Sequence, residues 1–248
     1  MAWYAYCIAE KEAFPELAHH RKPIPLEAKI GVLGNQIFLY PASDFAIVVS
    51  EHNPEDNLDQ KCAGDHARVI ADCFQHSTVL PFRFGTVFTD DDALRRSVRS
   101  NQRQFNANVE RLRGKAEMHL KVVLEDGGPN APKYASLPCA GKEYLSRLRE
   151  TAVLQRERQT KAKAVFVQMH RMFAPLEEEI SCRHTESGKI LLDIAHLIAH
   201  GNVARYQNKY SSASQSMRDC QMMLSGPWPP YHFVHNNQRV QTQAHGHA

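Results

Sequence analysis

Between residues 126 and 132 the chain reads Asp-Gly-Gly-Pro-Asn-Ala-Pro, and nothing else in its 248 residues interrupts regular structure so completely. Glycine frees the backbone, and each proline fixes φ and removes a donor, so neither a helix nor a strand crosses such a stretch. The break predicts two domains, 1–125 and 139–235, each long enough to bury a core of its own. Residues 236–248, rich in Asn, Gln and His, are expected to form a disordered tail.

In the first half, Trp3 to Ile8 is apolar on both faces, the mark of a central strand. Residues 11–29, with Pro15, Pro23, Pro25 and the His19-His20 pair, read as a loop. Short strands fit 31–40 and 44–50. A helix fits Lys61 to His76, with Ala63, Ala67, Ile70 and Phe74 on one face. Val79 to Phe88 reads as a strand that then bends at Gly85, Leu80, Phe82 and Phe84 on one side, Val79, Pro81 and Arg83 on the other. Thr89-Asp-Asp-Asp92 then opens a helix. Thr89 and Asp92 are spaced as a capping box, and the acids suit the positive end of the helix dipole. This helix should run to about Arg113 and bury Leu94, Val98, Phe105, Val109 and Leu112. Lys115 to Leu124 is a strand, with Met118, Leu120, Val122 and Leu124 on one face. The order predicts an α+β, ferredoxin-like N-terminal domain with its helices on one face of the sheet.

The second half is helical from Ala140 to about Glu179, with an early stripe of Leu145, Leu148 and Ala152 and a later one of Val165, Met169, Met172 and Leu176. Its length, and Pro175 near its end, predict a break or a helical hairpin. Lys189 to His200 reads as a strand, Gly201 to Ser216 as a polar helix and Cys220 to Leu224 as a final strand. The C-terminal domain is thus expected to be α+β too, a long helical hairpin with a small sheet.

With 43% hydrophobic and 23% charged residues and a net charge of +3, the chain is ordinary for a globular protein and too weakly basic to imply nucleic acid by itself. No apolar run approaches the roughly 18 residues of a membrane helix. The first residues carry no basic leader, and the cysteines at 7, 62, 73, 139, 182 and 220 form no C-x-x-C pair. Reduced thiols and a cytoplasmic location are the expectation. Among 14 histidines, His196 and His200 would stand about 13 Å apart on a strand at ~3.3 Å per residue, too far for one metal. Cys182-Arg-His184 and His19-His20 lack further ligands. Ala140-Gly-Lys142 is no phosphate loop, because Ser136 stands where a glycine is needed and Glu143 where a magnesium hydroxyl is needed. There is no G-x-S-x-G and no dinucleotide fingerprint. No catalytic residue, cofactor or metal is expected. Arginines and lysines crowd two helices, 95–113 and 147–163, but no aromatics interleave them to stack bases, Phe105 falling on the buried side. They read as solvated faces, with a basic ferredoxin-like nucleic-acid-binding or regulatory module as the alternative.

Two aromatic stretches remain. Read from its residues, Val79–Phe88 is a structural strand whose Arg83 needs a partner if covered, with a recognition strand whose arginine meets a carboxylate of another subunit as the alternative. Gly226-Pro-Trp-Pro-Pro-Tyr-His-Phe233 is stiffened by its prolines and offers Trp228, Tyr231 and Phe233 for burial, as a clamp across the chain's own sheet or, alternatively, as a rigid aromatic surface that grips a hydrophobic partner. Together they resemble the two hallmarks of the F/L-type gas vesicle accessory proteins. The chain is similar to that family also at Trp3-Tyr-Ala-Tyr6, His76-Ser-Thr78, Gly114 to Val122, Gly141-Lys-Glu-Tyr-Leu145 and Leu192 to Ile198, in order, across most of residues 3–235. Met118 departs from a frequent tryptophan and His196 from a usual tyrosine.

The resemblance implies a non-enzymatic accessory protein of gas vesicle assembly, associated with the vesicle in the cytoplasm. Its implied partners are the hydrophobic shell subunit and other accessory proteins, not nucleic acid or membrane. A shell subunit with an apolar surface aggregates unless that surface or its strand edges are covered, which a strand edge or apolar groove of a soluble protein can do. The residues expected to meet partners are Phe82, Arg83, Phe84, Trp228, Pro229, Pro230 and Tyr231.

Overall fold

A computed structural model of the chain describes residues 1–124, 141–184, 190–217 and 220–234. The break at 126–132, Cys139 and the 236–248 tail lie outside them. The chain forms two compact units, one of Met1–Gly114 with the segment from Pro229 onward, the other of Lys115–Trp228.

The first unit runs β1 (Ala2–Glu10), β2 (Ile24–Ile30), β3 (Gln36–Ala42), β4 (Phe45–His52), α1 (Gln60–Phe74), β5 (Val79–Pro81), β6 (Val87–Phe88) and α2 (Asp91–Leu112). The strands pair in the order β2-β3-β4-β1-β5, with β6 also on β1. β2 forms within the expected loop, and as an edge strand it tolerates Pro25. β1 carries a bulge, because Ala5 pairs with Val49 and Cys7 already with Val48. The extra residue turns Tyr4, Tyr6, Cys7 and Ala9 toward the core that α1 covers with Cys62, Val69, Ile70 and Cys73. On β4, Ala46 and Val48 join that core, whereas the ring of Phe45, one residue over, meets Phe105 of α2 edge-on at 6.0 Å.

The mixed helix-and-sheet class is the one the residues predicted. The helices, however, cover opposite faces of the sheet and not the single face of a ferredoxin-like domain. The reason is visible in β1 and β4, which are apolar on both sides and need cover on both.

α2 buries all five residues expected of it. Its cap is Asp90, whose carboxylate accepts from Ala93 N–H at 2.7 Å, and not Thr89, whose hydroxyl donates to Asp90. α1 buries Cys62, His66, Val69, Ile70 and Cys73, a face turned away from the expected Ala63 and Ala67.

The second unit runs β7 (Lys115–Leu124), α3 (Gly141–Phe173), β8 (Glu177–His184), β9 (Ile190–Ala199), α4 (Val203–Ser216) and β10 (Cys220–Trp228). All strands are antiparallel, in the order β10-β7-β9-β8. Met118, Leu120 and Val122 of β7 complete a core with Met169 and Phe173 of α3, Leu192, Ile194 and Ile198 of β9 and Tyr206 of α4. β7 therefore belongs with the residues after the 126–132 break, where the sequence placed it before. α3 is one unbroken helix of 33 residues and not a hairpin. No proline or glycine interrupts 142–173, and Pro175 falls just past its end.

Candidate functional site

The Val79–Phe88 stretch leaves the sheet and returns to it. β5 pairs with β1 through Cys7 opposite Pro81, and β6 through Tyr4 opposite Val87. Phe82 N–H still donates to Tyr6 O at 2.9 Å, and Thr86 O accepts from Ala5 N–H at 3.0 Å. Between these anchors Arg83 to Thr86 make a tight turn. Arg83 O accepts from both Thr86 N–H, at 3.1 Å, and Thr86 Oγ1, at 2.7 Å. Gly85 takes φ +81°, the third position of a type II turn, which calls for glycine. The strand expected here to bend at its glycine is two short ones around a turn, and its phenylalanines do not share one buried face. Phe82 is half-buried, its ring edge-on to Phe88 at 5.9 Å. Phe84 is 40% exposed. Arg83 is exposed, and among the described residues no hydrogen bond or ion pair engages its guanidinium.

Beneath the turn lies His66 of α1, 4% exposed. Its Nε2 lies 3.2 Å from Phe82 O and its Nδ1 lies 2.8 Å from the Tyr4 hydroxyl. A carbonyl only accepts, so Nε2 carries the proton, and Tyr4 donates to the bare Nδ1. The Tyr4 oxygen in turn accepts from Gly85 N–H at 3.4 Å. Tyr6 stacks on the same imidazole at 5.6 Å, takes Val32 N–H on its oxygen at 2.8 Å and meets Ser50 Oγ at 3.0 Å. The Phe84 ring closes the group, edge-on to His66 at 5.8 Å and to Tyr4 at 6.4 Å. Burial holds His66 below its ordinary value, against the pull of the Phe82 carbonyl, and burial pushes the Tyr4 and Tyr6 phenols up. With both ring nitrogens committed and the ring covered, this is a scaffold under a turn, and it offers no free base for chemistry.

The second hallmark divides between the units. Gly226, at φ +115° and joined to Pro227 by a cis peptide bond, lies so close to β7 that a Cβ would stand 2.7 Å from Glu117 O. Trp228 ends β10 in the second unit, its Nε1 on Ser225 Oγ at 3.1 Å and its ring 42% exposed. Pro229 and Pro230 are buried, Tyr231 is exposed, and Phe233 N–H donates to Pro230 O at 3.2 Å in a turn counted with the first unit. There the Arg111 guanidinium of α2 donates to Phe233 O. Of the expected contact residues, then, Phe82, Arg83 and Phe84 share one turn, and Trp228, Pro229, Pro230 and Tyr231 form a separate stretch. Arg83, Phe84, Trp228 and Tyr231 face solvent, while Pro229 and Pro230 do not.

A polar cluster that the sequence did not point to lies in the second unit. Glu177 sets one carboxylate oxygen 2.7 Å from His170 Nδ1 and the other 3.1 Å from Nε2 of the fully buried His196, whose Nδ1 faces the Tyr206 hydroxyl. Burial, with the charge of Glu177 added, pushes the Tyr206 phenol up. Phe173 stacks on both rings. Among the described residues no group of three His, Cys, Asp or Glu side chains is arranged to hold a metal, and no helix is long and apolar enough to cross a membrane.

The fold is shared with solved proteins. The gas vesicle protein GvpF of Anabaena sp. superposes with a TM-score of 0.73 at 15% identity, over 96% of this chain and 99% of that one. GvpF of Microcystis aeruginosa gives 0.68 at 17%, over 95% and 99%. Gas vesicle protein L of a Streptomyces species is 25% identical over 207 residues, 78% of this chain and 77% of that protein. Gas vesicle protein F of the same source is 25% identical over 186 residues, 68% and 75%. The family model described as gas vesicle synthesis protein GvpL/GvpF matches residues 2–235, and the chain belongs to that family.

Proposed function

We propose that the protein serves gas vesicle formation in the cytoplasm by binding the hydrophobic shell subunit, together with other accessory proteins, through the Arg83–Thr86 turn and the exposed aromatics of the second hallmark. A gas-vesicle role follows from the family, which is one of structural and accessory proteins and not of known enzymes. One observation carries the finer reading. Phe84 and Arg83 stand in solvent at a turn whose backbone is held from below by Tyr4 and His66. An exposed aromatic beside an exposed cation on a rigid turn suits binding, since little order is lost when a partner covers it. Trp228 and Tyr231 extend the same reading. Phe82, Pro229 and Pro230 support their neighbours and meet partners less directly.

The test pairs two readouts. Phe84→Ala and Arg83→Ala should melt within a few degrees of the parent, yet lose capture of the shell subunit on co-expression and fail to restore vesicles to a deletion strain. Variants that still capture the subunit and restore vesicles would end the reading.

A further inference from the structure

The buried face of α3 starts at Arg158 and continues through Ala162, Val165, Met169 and Phe173. The turns before it, 145–157, are exposed or half-exposed throughout. Along them Leu145, Leu148, Ala152 and Gln155 follow the alternating three-and-four spacing of a and d positions in a heptad, with Leu145 56% and Leu148 38% exposed. Arg149 and Arg156 fall at the e positions beside this seam. Both acids of the segment, Glu150 and Glu157, fall at f, on the far side of the helix. Val153 and Leu154 are exposed as well and lie off the seam.

A few helical turns with no packed face are marginal in water, and unpaired leucines at regular spacing leave apolar surface to be covered. We propose that the 145–156 seam docks a helix of another protein whose own apolar seam is flanked by carboxylates. The charge pattern selects that occupant. Arginine on the flank, with acids turned away, is matched by Glu or Asp at the partner's e or g positions. A second copy of this chain would bring arginine or threonine to those positions, from Arg149, Arg156 or Thr151. A nucleic acid duplex has no apolar seam for Leu145 and Leu148. An anionic membrane surface favours basic residues on both flanks, and here Thr151 occupies the other one. The inference does not depend on the reading of the hallmark turn.

The full-length protein can be titrated with dye-labelled probe peptides of about four heptads, Leu at every a and d. One carries Glu at e and g, its counterpart carries Lys, and phosphatidylglycerol vesicles are a third probe. The Glu peptide should bind at least roughly tenfold more tightly than the Lys peptide and weaken at about 0.5 M salt. Leu148→Asp should abolish this binding, and the double variant Arg149→Glu/Arg156→Glu should reverse the preference. Both change exposed positions, and an unchanged melting temperature will show that the fold is kept. Equal binding of the two peptides, binding of neither, capture by vesicles alone, or self-association that Leu148→Asp removes would each overturn the proposal.

Discussion

The Tyr4 phenol and the His66 ring meet at 2.8 Å, and between them they hold the Arg83–Thr86 turn at two points, His66 through Phe82 O just before it and Tyr4 through Gly85 N–H within it. Two stretches on which the resemblance to the family is read, Trp3–Tyr6 and Val79–Phe88, are thereby joined through a histidine that belongs to neither.

Burial disfavours a charged ring here, and in the neutral ring Nε2–H faces the Phe82 carbonyl and Nδ1 accepts from Tyr4. Burial holds the folded His66 below its ordinary value of 6.5, so on acidification the unfolded chain takes this proton first. The stabilisation is complete above the unfolded value and declines as pH falls from there toward the lower folded one. Urea unfolding at about pH 7.5 and about pH 5 should therefore cost the parent more stability than His66→Gln loses over the same interval. Equal losses in the two proteins would mean that His66 does not titrate in this way.

Each hallmark contains a glycine at positive φ, and the two should respond differently to alanine. At Gly85, φ +81°, a Cβ would meet nothing within 4 Å, so only backbone strain is added, about 1–2 kcal/mol. At Gly226, φ +115°, a Cβ would also stand 2.7 Å from Glu117 O and 3.2 Å from Met118 Sδ, so β10 must move off β7. Thermal unfolding should place Gly226→Ala clearly below Gly85→Ala. The reverse order would argue that the β7–β10 pairing yields readily at this point.

Much of the frame could be read in the residues, and the exceptions share a cause. In α2 the apolar positions Leu94, Val98, Phe105, Val109 and Leu112 set the helix and its buried face together. In α1 the helix was legible but its face was not, because Ala63 and Ala67 outlined a competing stripe and the polar His66 sits in the middle of the face that Cys62, Val69, Ile70 and Cys73 bury. β8 was concealed by Glu177-Glu-Glu179, acidic residues that weaken the strand pattern although Ile180 and Cys182 behind them pack on the core. The bend could be read at Gly85, but the alternation of Leu80, Phe82 and Phe84 concealed that the turn begins at Arg83 and splits the strand in two. The scaffold beneath the turn had no local signal at all. His66 lies 16 positions from Phe82 and 62 from Tyr4, a pairing that only the fold creates.

The Glu177 cluster should show the same dependence of energy on burial. Nε2 of the fully buried His196 and the Glu177 carboxylate stand 3.1 Å apart without the alignment of a hydrogen bond, and Glu177→Ala, which removes the charged group against that nitrogen, should cost about 1–3 kcal/mol. His170→Ala removes a partner whose side chain is 50% exposed, and a pair of that kind contributes below about 1 kcal/mol. Chemical denaturation of both variants should give a clear loss for the first and a small one for the second. Comparable losses would place His170 inside the core's polar network and not at its rim.

The thiols provide a last contrast, between acidity and access. The described cysteines 7, 62, 73, 182 and 220 are all reduced. Cys182 is partly accessible, but burial and then the charge of Asp193 push its thiol up to about 11. At pH 8 only about one such thiol in a thousand is then the reactive thiolate. Cys73 is held low by the hydrogen bond it receives from Cys7, which outweighs its burial, yet only 6% of its surface is exposed. Cys7, which gives that bond and is wholly covered, is pushed up. In the folded protein at pH 8, iodoacetamide should therefore modify all five slowly, Cys182 through lack of thiolate and Cys73 through lack of access. Raising the pH toward 10 should speed Cys182 far more than Cys73, whereas a mild denaturant should favour Cys73. Peptide mapping by mass spectrometry follows each site, and rapid labelling of Cys182 in native protein at pH 8 would refute the assignment and reopen the question of a nucleophilic thiol.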